Sequence, residues 1–357
     1  MLRDAGSRVD GEPPWAAFDA TAMGPPYDAG PQFPSGALLT GFGQLSGFYV
    51  AEAGYLLVLS HEVRLVDRDG TERARWESPY RITASAFDGE LLGIADSARL
   101  TGLRAGDLAE VSRSTLHRNC WSAAMLGGHR LVCTGDRREF ELVFSVYDLM
   151  SGGELGRSEP VPDAVGTRIA AVTGHDAFVT VGAGEFPSHR FELFRVTSEG
   201  PWIVEHHALF DTGESGAQFA LVGDPATHVV NDLGRLLRFD GCERFNLECF
   251  VRDGSIGTFG VRERVLAIDE LTTDSVVALT AAHEPGGMQC ALGCGVQRAD
   301  VASRAVLADG VFDGPVRSVL AARYDRWTDS VAVAAHATCP SSSCEDWSIS
   351  RVALEAR

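Results

Sequence analysis

The chain has 357 residues, with 49 acidic against 31 basic side chains and a formal net charge of −18. Every basic residue is an arginine, which excludes Schiff-base chemistry, a lysine general base and a Walker-type phosphate loop. Nucleic acid and anionic membrane are excluded as main partners, because phosphate binding needs clustered positive charge. No run approaches the roughly 18 apolar residues of a membrane span, so no transmembrane segment is expected.

Residues 1–35 read as a linker or loosely attached segment. The start is small, polar and acidic (Asp4-Ala5-Gly6-Ser7, Asp10-Gly11-Glu12-Pro13-Pro14), and prolines recur at 25, 26, 31 and 34. Such a stretch buries too little apolar surface to offset its ordering entropy. A charged start with an apolar h-region is missing, so no signal peptide is visible. Two readings stand: a cytoplasmic chain, or an exported one whose signal has been replaced by Met1. The Asp-Ala-Gly-Ser start resembles the tether after the lipidated cysteine of bacterial lipoproteins, and that resemblance implies a lipid tether. The lysine gap, with abundant Ala, Gly, Val, Asp and Arg, points to a high-GC bacterial genome.

From Gln44 onward the chain reads as short strands punctuated by Gly and Asp turns. A strand–turn–strand element recurs at Val63–Trp76, Arg99–Val111, Leu142–Gly156, Phe191–Val204, Arg235–Phe250 and Cys294–Leu307. An unfinished copy, Trp347–Ala356, stops after one strand. Within the first, Asp67-Arg68-Asp69-Gly70-Thr71 lacks the ligand spacing of a calcium loop and reads as a hairpin turn. Ahead of each hairpin stands a polar residue followed by a small or apolar run: Gln44, Arg81, Asn119, Arg168, Gln218, Thr258 and Arg317, spaced 37 to 59 residues apart. A four-stranded antiparallel unit with its loops needs about 45 residues.

The expected fold is all-β, a single seven-bladed β-propeller over residues 36–357 with four-stranded antiparallel blades. One twisted sheet cannot bury both faces alone, so sheets stack radially and each covers the next. The last unit is a strand short, and Gly36–Phe42 is expected to supply it, closing the ring and removing an open edge. Six or eight blades is the alternative. In architecture the chain resembles the propellers of the quinoprotein-like and WD-repeat-like groups. The quinone-docking pattern Ala-x-Asp-x-x-Thr-Gly-x-x-x-Trp is met only approximately, between Asp67 and Trp76. Gly128-His129 and Gly174-His175 match the Gly-His of WD repeats, but the Trp-Asp ends are missing. No cofactor and no metal set is expected.

The eight cysteines fall in neighbouring pairs: Cys120 with Cys133, Cys242 with Cys249, Cys290 with Cys294, and Cys339 with Cys344. Eight cysteines allow 105 connectivities. Disulfides within these pairs are preferred to free buried thiols or to a zinc knuckle, which lacks a histidine complement. They imply an extracytoplasmic place: periplasm, cell surface or secreted.

If the polar residues ahead of the small runs are equivalent, all seven ring one mouth of the axial channel. The plain reading is that they hydrogen-bond water and one another. The functional reading is that Arg81, Arg168 and Arg317 converge to hold a carboxylate or phosphate; Trp121 and Tyr324 are read as blade packing, with an aromatic wall as the alternative. The preferred function is a binding or scaffold module for a protein, glycan or small anionic ligand. The alternative is a hydrolase, lyase or isomerase at the funnel, with Asp88, Glu263 or Asp313 as acid or base.

Overall fold

The computed structural model describes residues 31–357 apart from 117–118, 136–142, 301, 315, 339–344 and the strand connections between 161 and 292 other than Cys290. For strands between 164 and 282 it gives the backbone course, with side chains only at 275–279. No helix occurs among the described residues; the elements are strands, β1 (Ala37–Phe42) onward.

Seven antiparallel sheets follow one another along these residues. The first holds β2 (Leu45–Ala51), β3 (Gly54–Leu59), β4 (Glu62–Val66) and β5 (Glu72–Glu77). The second holds β6 (Ile82–Phe87), β7 (Leu91–Asp96), β8 (Arg99–Arg104) and β9 (Glu110–Thr115). The third holds β10 (Cys120–Leu126), β11 (Arg130–Gly135), β12 (Val143–Asp148) and β13 (Glu154–Arg157). The fourth holds β14 (Ala164–Val172), β15 (Asp176–Ala183), β16 (Arg190–Thr197) and β17 (Val204–Phe210). The fifth holds β18 (Phe219–Val222), β19 (His228–Asn231), β20 (Arg235–Phe239) and β21 (Phe250–Ser255). The sixth holds β22 (Glu263–Glu270), β23 (Ser275–Ala282), β24 (Cys294–Asp300) and β25 (Val306–Phe312). The seventh holds β26 (Val316–Asp325), β27 (Ser330–Ala337) and β28 (Asp346–Ala353), with β1 as its fourth strand.

The first strand of each sheet touches the first strand of the next, in the cycle β2, β6, β10, β14, β18, β22, β26 and back to β2. That closed succession makes the sheets the blades of a propeller, with these first strands around the axis.

Period-two alternation explains the stacking. All six residues of β3 are buried. Its Leu56 and Val58 pack with Ile82, Leu92 and Ile94 of the second sheet, whereas Tyr55, Leu57 and Leu59 pack with Ala332, Ala334 and Trp347 of the seventh. Successive side chains point to opposite faces, so one apolar strand serves two seams. The strand β27 repeats the device, sending Val331, Val333 and Ala335 toward the sixth sheet and Ala332 and Ala334 toward the first. Each buried leucine or valine contributes about 1.5–3 kcal/mol, so the core lies between sheets rather than within them.

Closure is double. The strand β1 pairs with β28 from Ala37↔Ser350 to Phe42↔Asp346, as expected for Gly36–Phe42. The chain does not stop after β28, however. A two-residue strand, β29 (Glu355–Ala356), crosses to the sixth sheet and pairs with Asp309 and Ala308 of β25, giving that sheet a fifth strand. Arg357 Nε fixes it to Asp309 Oδ2 at 2.8 Å. The Leu-Glu-Ala-Arg tail is too short to show any strand periodicity.

The Asp67–Thr71 segment is a turn. The Thr71 amide donates to Asp67 Oδ1 at 3.0 Å and to Asp69 Oδ1 at 2.9 Å, and Gly70 takes φ 95°.

Two of the four expected cysteine bridges are present among the described residues. Cys120 bonds to Cys133 and Cys290 to Cys294, with Cα atoms 5.3 and 4.9 Å apart. The other two expected bridges do not appear there. Cys242 and Cys249 both fall in the connection between β20 and β21, outside the described residues. Cys339 and Cys344 bound the connection between β27 and β28 and are outside them as well. Pairing of Cys242 with Cys249, and of Cys339 with Cys344, therefore rests on their spacing alone.

Candidate functional site

Three of the seven proposed ring residues immediately precede an inner strand with a described side chain: Gln44 before β2, Arg81 before β6 and Asn119 before β10. Gln44 and Arg81 meet, the Arg81 guanidinium donating to Gln44 Oε1 at 2.7 Å. Asn119 is half-buried one blade further on.

The other four stand differently. Arg168 lies five residues into β14, opposite Thr180, because that inner strand carries extra residues at its front and two register shifts. Gln218 directly precedes β18 but is outside the described residues, as is Thr258. The sixth inner strand begins at Glu263, five residues past Thr258. Gly257 stands just before the run expected to open that strand and Gly260 inside it, and glycine weakens strand interiors. Arg317 lies inside β26, two positions beyond the place equivalent to Arg81.

The register identifies that displacement. Four inner strands carry the same irregularity at their second residue: Ser46 between Leu45 and Gly47, Thr83 between Ile82 and Ala84, Trp121 between Cys120 and Ser122, and Arg317 between Val316 and Ser318. An extra residue in one strand has no partner opposite and re-aims its side chain. Ser46 Oγ and Thr83 Oγ1 turn back to the carbonyls of Val58 and Ala95, at 3.1 and 3.2 Å. Trp121 and Arg317 are exposed at the mouth instead, Trp121 by 58%. Sequence reasoning named Arg317 and Trp121 but missed Ser46, Thr83 and the bulge that the four share.

Two further aromatic rings share this mouth. Phe42, at the end of β1 two residues before Gln44, is 71% exposed, and Tyr80, beside Arg81, is 41% exposed. The Arg99 guanidinium covers Tyr80 at 5.3 Å. Beneath them Ser78 Oγ donates to the buried Asp96 Oδ2 at 2.9 Å, and Asp96 Oδ1 accepts the amides of Ala98 and Arg99. That carboxylate is spent on the loop that carries Arg99.

Elsewhere in the described residues Arg64, Arg68, Arg75, Arg104, Arg113, Arg157 and Arg357 pair with carboxylates. Arg81 has no carboxylate within ion-pair reach among the described residues; its partner is the neutral Gln44 amide. Beside Arg317, His336 is held below the usual histidine range by its burial and by the Arg317 charge, against the pull of Glu345.

The carboxylates considered for acid–base work do not gather here. Asp88 follows β6 and so lies at the opposite end of the inner strands, where it accepts the Glu90 and Leu91 amides and meets His129 Nδ1 at 2.8 Å. Asp313 and Glu263 stand at the entries to β26 and β22, in other blades. Tyr324 is also at the far end, bonded to Asp329 at 2.6 Å, so it forms no wall with Trp121. No group of three or more metal-ligating side chains occurs among the described residues.

No protein-family profile matches the chain, and no curated protein does. Solved structures do match. The β-propeller domain of Cps50 (Swd1) from Myceliophteria thermophila superposes with a TM-score of 0.54 at 11% identity, covering 87% of this chain and 99% of that one. BamB from Moraxella catarrhalis gives 0.50 at 12% identity, covering 88% and 98%. A chain of the mitotic checkpoint complex gives 0.54 at 9% identity, covering 91% and 97%. At such identities the likeness concerns fold alone, and by fold this chain is a β-propeller.

Proposed function

We propose that residues 36–357 form one propeller that acts as a binding or scaffold module, taking an anionic ligand or acidic partner at the mouth where the inner strands begin. The observation that carries this reading is Arg81: an exposed guanidinium in a chain of net charge −18, oriented by an amide and, among the described residues, not neutralised by a carboxylate. A guanidinium held by a neutral acceptor keeps its remaining donors for a carboxylate or phosphate. The exposed rings of Tyr80 beside it and of Trp121 one blade on match the aromatic-plus-arginine composition of protein interfaces. The propeller of the mitotic checkpoint complex is likewise part of an assembly.

The module works outside the cytoplasm, tethered through the part of residues 1–35 that precedes Gln32, which itself pairs with Thr338. Two disulfides support that placement, since such bonds persist in oxidising compartments. Mass spectrometry of non-reduced protein isolated from its cells tests it: free thiols at Cys120 and Cys133 overturn it. The same spectra show whether Cys242 is bridged to Cys249 and Cys339 to Cys344, as this placement expects.

The binding test uses poly-glutamate and trigalacturonate as probes, with calorimetric titration of wild type and Arg81→Ala. At least a tenfold loss is expected for the variant, with thermal melting unchanged. Adding Arg168→Ala and Arg317→Ala measures any contribution of the wider set. Equal binding by wild type and Arg81→Ala, or no binding by either, overturns the reading.

A further inference from the structure

Trp121 is an indole exposed at a place where the backbone leaves it no alternative. Its neighbour Cys120 is buried and bridged to Cys133, itself buried in β11 opposite Ala123. On the other side, the Ser122 carbonyl accepts Thr134 Oγ1 at 3.3 Å. The residue between these two anchors is the one that the register omits, so the bulge is clamped from both flanks and the side chain projects outward. An exposed tryptophan held in this way loses little conformational freedom on binding, as an interface anchor requires.

The strand that carries it packs against β6, whose entry holds Arg81. The mouth therefore sets an apolar ring one blade away from a guanidinium that has no carboxylate partner among the described residues. Tyr80 stands beside Arg81, and Phe42 lies one blade further in the other direction. Exposed rings thus stand at two successive blade entries, those of Tyr80 and Trp121, a span suited to an extended chain crossing the blades and longer than a single sugar ring. Packed sheets lie about 10 Å apart and an extended peptide advances about 3.3 Å per residue, so one blade step equals about three residues.

We infer that this mouth binds an acidic protein segment whose Asp or Glu pairs with Arg81 and whose apolar side chain, about three residues away, packs on Trp121, with the Cys120–Cys133 bridge holding that ring in place. The inference rests on the proposed anion-binding role of Arg81 and names the partner. The negative charge comes from Arg81 needing a counter-ion, and the apolar residue from Trp121 needing a cover.

The test uses Ac-Gly-Asp-Gly-Gly-Leu-Gly-NH2, its analogue with glycine in place of leucine, and trigalacturonate, each titrated into the full chain. Wild type is expected to bind the leucine peptide at least tenfold more tightly than the glycine analogue. Trp121→Ala should erase that difference while leaving the glycine analogue's affinity unchanged. Trp121→Phe should restore part of it. The double change Cys120→Ala with Cys133→Ala should behave like Trp121→Ala, with a melting curve confirming that it remains folded. A Trp121→Ala variant that still prefers the leucine peptide overturns the inference. So does trigalacturonate binding more tightly than either peptide in a Trp121-dependent way. If Arg81→Ala leaves the glycine analogue's affinity unchanged, the anion-binding role itself fails. Dependence on Arg81 without dependence on Trp121 removes only the peptide assignment.

Discussion

Arg68 holds Asp325 with two nitrogens across the seam between the first and seventh sheets, Nε to Oδ2 at 2.8 Å and Nη2 to Oδ1 at 3.1 Å. The Asp325 side chain is fully buried, and Tyr55 donates to the same carboxylate at 3.2 Å. Arg351 of β28 reaches back to the Tyr55 hydroxyl at 3.0 Å and to the Arg68 carbonyl at 2.7 Å. Trp327 closes the cluster under the Arg68 guanidinium at 4.6 Å. Removing one member of a buried pair leaves the other charge uncompensated, so Asp325→Ala is expected to destabilise the fold by about 3–5 kcal/mol. Urea denaturation measures it.

The same carboxylate gives a pH dependence of known sign. Burial pushes the Asp325 pKa up, but the Arg68 hydrogen bond and charge outweigh it, and the group rests below the usual aspartate value. Its stabilisation is present above the unfolded-state value near 4 and is lost as pH falls through the lower folded value. The urea midpoint of wild type should fall over that window more steeply than that of Asp325→Asn.

His336 adds a second dependence at higher pH. Its burial, with Arg317 alongside, lowers its proton affinity. The unfolded chain therefore binds a proton first, and stability declines as pH drops below about 6.5. His336→Gln should flatten the midpoint between pH 7 and 5, read on the same denaturation curves.

The join between β1 and β28 depends on a missing side chain. Gly41 lies opposite Trp347, and a Cβ there would overlap the six-membered ring of the buried indole. Gly41→Ala should cost about 1–3 kcal/mol by overpacking, and Gly41→Val more. Trp347→Phe in the Gly41→Ala background should recover part of the loss in thermal unfolding.

The Cys120–Cys133 bridge spans 13 residues of sequence. By loop entropy it contributes about 3 kcal/mol, so reduction or the double alanine change should lower the urea midpoint accordingly.

The architecture was legible because its cause is repetitive. Every inner run of small residues and every Asp/Gly turn answers the same demand, a sheet that must be covered on both faces. The contribution of Gly36–Phe42 could be read from a missing strand. Ring positions were legible only where the strand begins where the apolar run begins, as at Gln44, Arg81 and Asn119. At Arg168 and Arg317 register shifts break the correspondence, and a bulge leaves no composition signal because it is a matter of pairing with a strand elsewhere. Trp121 is plain in the sequence, yet its exposure goes with a bulge that shows only in the pairing with β11. The Arg68–Asp325 pair joins residues 257 apart, and no local pattern announces such a contact.

The first and last strands are each woven into a sheet made largely of other segments, which orders events during synthesis. The strand β1 leaves the ribosome early, yet its partner β28 follows about 300 residues later, with β29 after it. Until both have emerged, the nascent ring has raw edges and no way to cover them, so a stalled or truncated chain would expose strand edges prone to association.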